Sequence, residues 1–349
     1  MFLGIEIGGT KLQVGVGGGD GGPLAAIERS EVDRAEGARG IRQQIAALAA
    51  PLLQRFPVRA VGIGFGGPID CVTGRTIKSH HIGGWNDFPL VEWSRQTLGL
   101  PTAVANDADT AGLAEARFGA GRGKQVVFYV TVGSGIGGAL ILGGQIYRGG
   151  SGVAAEIGHL RPGLQSDRPD LTLEAIASGW GITAEAQARL AAEPMTHSLD
   201  QLVGGERPEG PESLRQRLID AEEAGEEFAA DLRERCEGRL EQLTTRLIGQ
   251  AAAEGNRLAE DIFHRAVQAL GWGVAQMITL LSPEVVVIGG GVPLAGETLF
   301  FAPLRQEVNR YVFPPLRNTF RVVPAALGEE VVIHGALALA AEALAATGS

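Results

Sequence analysis

The chain has 349 residues, of which 45% are apolar and 20% charged, and its net charge is −10. That length predicts two domains or one large one, and an acidic chain without a basic cluster excludes nucleic acid and anionic membrane surfaces as partners. Two distant cysteines, Cys71 and Cys236, exclude a disulfide framework and a four-thiolate zinc site. The opening MFLGIEIGGTK has no basic n-region and no long apolar run, so neither a signal peptide nor a spanning helix is expected, and the expected compartment is the cytoplasm.

In chain order, residues 2–7 read as a strand, Gly8-Gly9-Thr10 as a turn, and Leu12–Val16 as the returning strand of a hairpin. Residues 38–55 carry Ile41, Ile45, Leu48 and Leu52 at helical spacing. A buried strand is expected at Ala60–Phe65, a short helix at Leu90–Leu98, a strand at Thr102–Ala105 and a helix at Ala108–Gly119, with Asn106-Asp107 between the last two. The plan then recurs: a strand at Val126–Val132, a glycine turn at Gly133–Gly138 and a returning strand at Ala139–Leu142. The segment 192–210 reads as a surface connection, 212–250 as helical, Asp261–Leu281 as a long amphipathic helix, Glu284–Ile288 as a buried strand ending at Gly289–Gly291, and Val331–Leu344 as a last helix. Two halves that each open with a strand-glycine-strand hairpin predict a duplicated α/β architecture.

The glycine turns carry the chemical signal. Gly62–Gly67 and Gly133–Gly138 have dinucleotide-fingerprint spacing, yet Pro68-Ile69-Asp70 follows the first and a strand the second, where a Rossmann site needs a helix. A Walker A loop fails as well, because Gln125 follows Gly123-Lys124 and Phe118 occupies the upstream glycine position. A glycine hairpin can still nest phosphate on successive N–H groups. Thr10 and Ser134 add hydroxyls at equivalent places in two such hairpins; each alone reads first as a tight turn, and the pair together with Gly289–Gly291 reverses that reading. Asp107 just past a strand end can point into a cleft as a proton acceptor; Asn106-Asp107 is equally a helix cap.

GIEIGGTK, GFGGPID, VANDAD, VTVGSGIGGA, AAEIGH, LEAIASG and VVVIGGG, in that order from Gly4 to Gly291, resemble the ROK family of sugar kinases and repressors, and within it the glucokinase-like members. The resemblance implies a two-domain actin-like, ribonuclease H-like duplicated α/β fold, with sugar in the interdomain cleft and ATP on the larger domain. It implies a smaller domain of residues 1–106 closed by about 329–349, and a larger one of 107–328 with a helical insertion at about 195–250. Carried over by position, Gly8, Gly9, Thr10 and Lys11 would form the first phosphate loop, Gly133, Ser134 and Gly135 the second, and Gly290 and Gly291 would lie beside the adenosine. Asn106, Glu156, His159 and Glu174 would bind sugar hydroxyls, Gly67 would line that pocket, and Asp107 would be the base for ATP-dependent phosphorylation of a hexose.

Three departures from the family pattern follow. The stretch HLRPGLQSDRPDLTLE after Gly158 lacks the cysteines that bind zinc in many members, so no zinc site is expected and His159 is left to the sugar. Arg161, Asp167, Arg168 and Asp170 in that stretch are read as solvated rather than as ties. Glu6 stands where the wider superfamily often has aspartate, keeping a charge that can reach Mg²⁺ through water. His80-His81 precede Gly83-Gly84-Trp85 where asparagine is more usual, and are read as loop histidines. The charged run EEAGEEFAADLRERCEGRLEQ reads as a solvated helix face.

Competing readings are a repressor, for which a DNA-binding domain would be expected ahead of the first hairpin; a non-catalytic sugar-sensing protein on the same fold; and a kinase for fructose, mannose or N-acetylmannosamine. The hexose and the oligomeric state are left open, a homodimer included.

Overall fold

A computed structural model describes residues 1–77, 82–163, 168–191 and 225–347. His80, His81 and Asp167 lie outside the described residues, as do the connection at 192–210 and the first part of the insertion, to residue 224.

The first half builds a five-stranded sheet in the order β3-β2-β1-β4-β7, and the second a five-stranded sheet in the order β10-β9-β8-β11-β12. The strands of the first are β1 (Phe2–Ile7), β2 (Lys11–Gly17), β3 (Ala26–Glu31), β4 (Val61–Phe65) and β7 (Thr102–Asn106). A small hairpin of β5 (Ile69–Asp70) and β6 (Arg75–Thr76) stands apart from it. The second sheet contains β8 (Val126–Val132), β9 (Ile136–Leu142), β10 (Gln145–Ile146), β11 (Val285–Gly289) and β12 (Arg321–Pro324). In each sheet the hairpin and its outer strand are antiparallel, and the remaining two strands join parallel. The two halves therefore share one topology, and the chain has the expected two-domain actin-like α/β fold with a cleft between the halves.

Each parallel strand is followed or preceded by a crossover, which puts helices on the sheet faces. Helix α1 (Gly37–Arg55) buries Ile41, Ile45 and Leu52 against one face of the first sheet, where Leu12, Val14 and Val16 point. Helix α2 (Leu90–Leu98) precedes β7. Helix α3 (Asp107–Phe118) leaves the first sheet at Asn106 but packs on β8 and β9 of the second. The last helix, α9 (Val331–Thr347), returns from the second half to cover β1 and β4. Glycines make that return possible. A side chain at Gly62 would place Cβ 1.8 Å from the Ala336 oxygen, and one at Gly335 would place it 1.9 Å from the Thr110 oxygen.

The sequence-based boundaries shift in physically explicable ways. Helix α3 starts at Asp107 rather than Ala108, because the Asn106 side chain caps it by accepting the Ala108 N–H at 2.8 Å. Strand β9 begins at Ile136, so the second glycine turn is shorter than Gly133–Gly138. The helical reading of 212–250 is corrected where it can be checked: the helix at 225–235 stops at a turn in which Glu237 and Gly238 have φ of 55° and 73°. A 3-10 turn and α6 (Thr245–Ala253) then follow. Helix α7 (Arg257–Leu281) begins earlier than expected, since Asn256 accepts the Ala259 N–H at 3.0 Å. Strands β3 and β12, the helices α4 (Leu173–Ala177) and α5 (Gly179–Ala191), and α8 (Ala302–Tyr311) were not marked by their periodicity.

No helix among the described residues is long and apolar enough to cross a membrane.

Candidate active site

Asp107 stands at the junction of the halves, one residue past β7 and first in α3. Its Oδ1 accepts the Ala108 N–H at 2.8 Å, while its Oδ2 lies toward the Gly66 turn. Burial pushes its carboxyl up to about 6; the Ala108 N–H opposes that shift and the charge of Glu156 adds to it. Asn106 is held by its own partners, its Nδ2 donating to the Gly67 oxygen at 3.0 Å. That bond ties the Gly66-Gly67 turn to the start of α3.

Ten of the predicted residues line three recesses, and Gly67, His159 and Glu174 line none of them. Thr10, Lys11, Gly133, Ser134 and Gly291 line a cavity of about 1330 Å³. Glu6, Lys11, Asp107, Gly290 and Gly291 line a second of about 380 Å³, whose wall includes the last helix. Asn106 and Glu156 line a small third recess with Pro68 and Asp109. Gly8 and Gly9 shape the first turn, where the Gly8 N–H donates to the Lys11 oxygen at 2.9 Å. Gly133 does the same in the second turn, donating to the Gly135 oxygen at 2.9 Å.

Glu156 and His159 share one tight turn, with the His159 N–H donating to the Glu156 oxygen at 3.1 Å. Ala155 precedes them with φ of 63°, a conformation a residue with Cβ rarely adopts, so the chain bends sharply just before Glu156. Burial raises the Glu156 carboxyl, His159 opposes the shift, and Glu174 adds to it. Glu174 is already engaged, since its Oε2 accepts the Ile136 N–H at 2.7 Å. Beyond His159, the described charged side chains are exposed, as expected, and make local bonds at the surface. Arg161 Nε donates to the Pro169 oxygen at 2.9 Å, and Arg168 pairs with Asp170 at 3.0 Å.

Glu6 fits the role of a cation-facing carboxylate. It is 8% exposed; its Oε1 meets Lys11 Nζ at 3.3 Å, and its Oε2 is buried without a partner among the described residues. Burial pushes it up to about 7, against the pull of Lys11. An orphaned buried oxygen of this kind fits an aquated divalent cation.

Sequence reasoning missed two carboxylates on α3. Asp109, two residues past Asp107, faces the recess of Glu156 and is pushed up to about 7 by burial, with Arg148 opposing and Glu156 adding. Acidic residues in a first helical turn usually serve the helix dipole, so nothing in the pattern VANDAD set Asp109 apart. Glu115 is fully buried and accepts the N–H groups of Ala120, Ala326 and Leu327 at 2.8, 2.8 and 2.9 Å. It ties α3 to the segment that leads into the last helix.

The sequence profile of the ROK family matches residues 2–343. The chain belongs to the ROK family. Among ROK proteins it is 29% identical to a glucokinase of Thermotoga maritima over 98% of this chain and 97% of that one. It is 30% identical to an N-acetylmannosamine kinase of Shigella boydii over 95% and 98%. A crystal structure of a ROK family glucokinase from Streptomyces griseus, in complex with glucose and AMPPNP, superposes with a TM-score of 0.77 at 30% identity, covering 98% of this chain and 99% of that one. The ROK assignment covers both halves of the fold and every turn described above.

Proposed function

We propose that this ATP-dependent sugar kinase transfers the γ-phosphoryl group of ATP to a hexose hydroxyl, with glucose first among acceptors and Asp107 as the base. The observation that carries the reading is the position of Asp107. It lines the cavity of Glu6, Lys11, Gly290 and Gly291, while its chain neighbours Asn106 and Asp109 line the recess of Glu156. The glucose and AMPPNP bound to the Streptomyces griseus glucokinase support the choice of substrates.

A hexose hydroxyl is a poor nucleophile until a positioned group removes its proton. Asp107 accepts that proton on the oxygen not engaged by Ala108. A carboxyl near pH 6 is largely ionised at neutral pH, yet basic enough to take a proton as the acceptor oxygen bonds to phosphorus. Asn106, Glu156, His159 and Glu174 bind and orient the sugar hydroxyls, with Gly67 lining the pocket. Thr10, Lys11, Ser134 and the N–H groups of Gly9 and Gly135 bind the phosphates on turns that Gly8 and Gly133 close, while Gly290 and Gly291 lie beside the adenosine. Glu6 would hold Mg²⁺ through water. Bound Mg²⁺ neutralises charge on the phosphoryl oxygens.

In this reading residues 1–106 with about 329–349 form one moving body and 107–328 the other. The enzyme acts in the cytoplasm, where its nucleotide is made. N-acetylmannosamine is the second acceptor to weigh, given the 30% identity to the Shigella boydii kinase. A coupled ADP-release assay with Mg²⁺ and glucose, mannose, fructose or N-acetylmannosamine tests the reading. Turnover is expected to be highest with glucose, and none with any of the four overturns it.

A further inference from the structure

We infer that Gln187 selects the base of the phosphoryl donor, accepting the exocyclic amino group of adenine and rejecting the keto group of guanine and hypoxanthine. The inference rests on the reading of the chain as an ATP-dependent kinase and adds to it a residue that sets which nucleotide is used.

Helix α5 begins on the second phosphate turn. The Gly179 N–H donates to the Gly133 oxygen at 2.8 Å, and the Trp180 N–H donates to the Ser134 oxygen at 3.3 Å. From there the helix runs along the large cavity and presents Trp180, Thr183, Ala184 and Gln187 to it. That spacing is one helical face. At 1.5 Å per residue, Gln187 lies about 12 Å along the axis from Gly179. A nucleotide with its phosphates on Gly133 and Ser134 reaches that far with its base.

The opposite wall is α6, fixed against α5 at the phosphate end by the 3.1 Å contact between the Thr183 and Thr245 hydroxyls. Leu243, Ala253 and Phe263 supply apolar surface to the same cavity, as the faces of a planar base require.

The orientation of the Gln187 amide is decided by its partner. Its Nε2 donates to the Leu240 oxygen at 2.7 Å. A backbone carbonyl can only accept, so turning the amide over would set oxygen against oxygen. The Oε1 of Gln187, which has no partner among the described residues, is therefore the atom left for a ligand, and it is an acceptor only. Adenine offers an amino donor at position 6; guanine and hypoxanthine offer a carbonyl there, which would face the Gln187 oxygen with no proton between them. Gln250, across the cavity, carries no orienting side-chain bond among the described residues and can present either end of its amide.

The test compares ATP, ITP and GTP as donors for the wild-type protein and for Gln187→Met, which keeps length and loses the acceptor. For wild type, kcat/KM with ITP is expected to fall roughly tenfold below ATP, the scale of one hydrogen bond, and with GTP by at least as much. In Gln187→Met the ATP to ITP ratio should approach one, through a higher KM for ATP, with kcat and the sugar KM unchanged. Equal use of ATP and ITP by the wild-type protein overturns the inference, whatever the variant does. An undiminished ratio in a folded Gln187→Met overturns it too. If no nucleotide is turned over, the kinase reading fails by itself. Calorimetric titration of ATP and ITP then decides the base preference: tighter ATP in wild type alone supports Gln187, and equal affinities reject it.

Discussion

The Oε2 of Glu174 accepts the backbone N–H of Ile136 at 2.7 Å, joining helix α4 to the strand that leaves the second phosphate turn. One carboxylate thus touches both the proposed sugar site and the proposed phosphate loop. Replacing Glu174 with Ala leaves the Ile136 N–H without its acceptor, which costs about 1–3 kcal/mol when such a group is buried. We expect KM to rise for both sugar and ATP, each by roughly tenfold or more. Glu174→Gln keeps an acceptor oxygen, so it should raise KM for the sugar alone. Steady-state kinetics with each substrate varied in turn checks both variants. An unchanged ATP KM in Glu174→Ala would separate Glu174 from the phosphate loop.

Asp107→Asn removes the proton acceptor while keeping shape. Turnover is expected to fall by roughly 10²–10⁴ with substrate affinities little changed. The cap on α3 belongs to Asn106, which still accepts the Ala108 N–H, so the melting temperature should hold near that of the unaltered protein. A folded variant that keeps more than about a tenth of the original turnover would take Asp107 out of the base role.

The pH dependence has a defined sign. For the free enzyme, kcat/KM should decline as pH falls through about 6, where Asp107 takes up its proton. Stability runs the other way for Glu6, Asp107 and Asp109, whose folded-state values of about 7, 6 and 7 lie above the range near 4 for an exposed carboxyl. Between those limits the folded chain binds more protons than the unfolded one. Their contribution is greatest at acid pH and shrinks as pH rises toward 7. Urea midpoints at pH 5 and pH 8 should differ less in Asp109→Asn than in the unaltered chain. An identical pH slope in the two would show that Asp109 does not titrate in this window.

Glu115→Ala should destabilise the fold strongly. Three backbone N–H groups lose one buried acceptor, which implies a loss of about 3 kcal/mol or more. Glu115→Gln retains one acceptor oxygen and should fall between. Equilibrium urea unfolding measures both, and a loss in Glu115→Ala below about 1 kcal/mol would mean that water replaces the carboxylate.

Much of the fold was legible because its signals are local. Alternation with a glycine turn marked both hairpins, and the apolar spacing of Ile41, Ile45 and Leu52 marked α1. Strand β3 was not legible: its residues AIERSE are half-exposed at a sheet edge and carry no buried face. The break at Glu237-Gly238 was hidden for a different reason, since helical propensity ran through it and the backbone turns there to let α6 line the cavity.

By itself, the sequence determined the duplicated α/β plan, the turns that can nest phosphate and the candidate residues around Asp107, because hairpin turns, helix periods and motif order are properties of neighbouring residues. Only the tertiary structure decided what each residue faces. It set Asp107 in the cavity of Glu6 and Gly290, gave Glu174 to the Ile136 N–H, and left an oxygen of Glu6 buried with no partner among the described residues. It also turned the Gln187 amide by way of Leu240 and hung two crossings of the chain on Glu115. These are relations between residues distant in the chain, and burial and hydrogen-bond partners exist only once the two sheets have packed around α3 and the last helix.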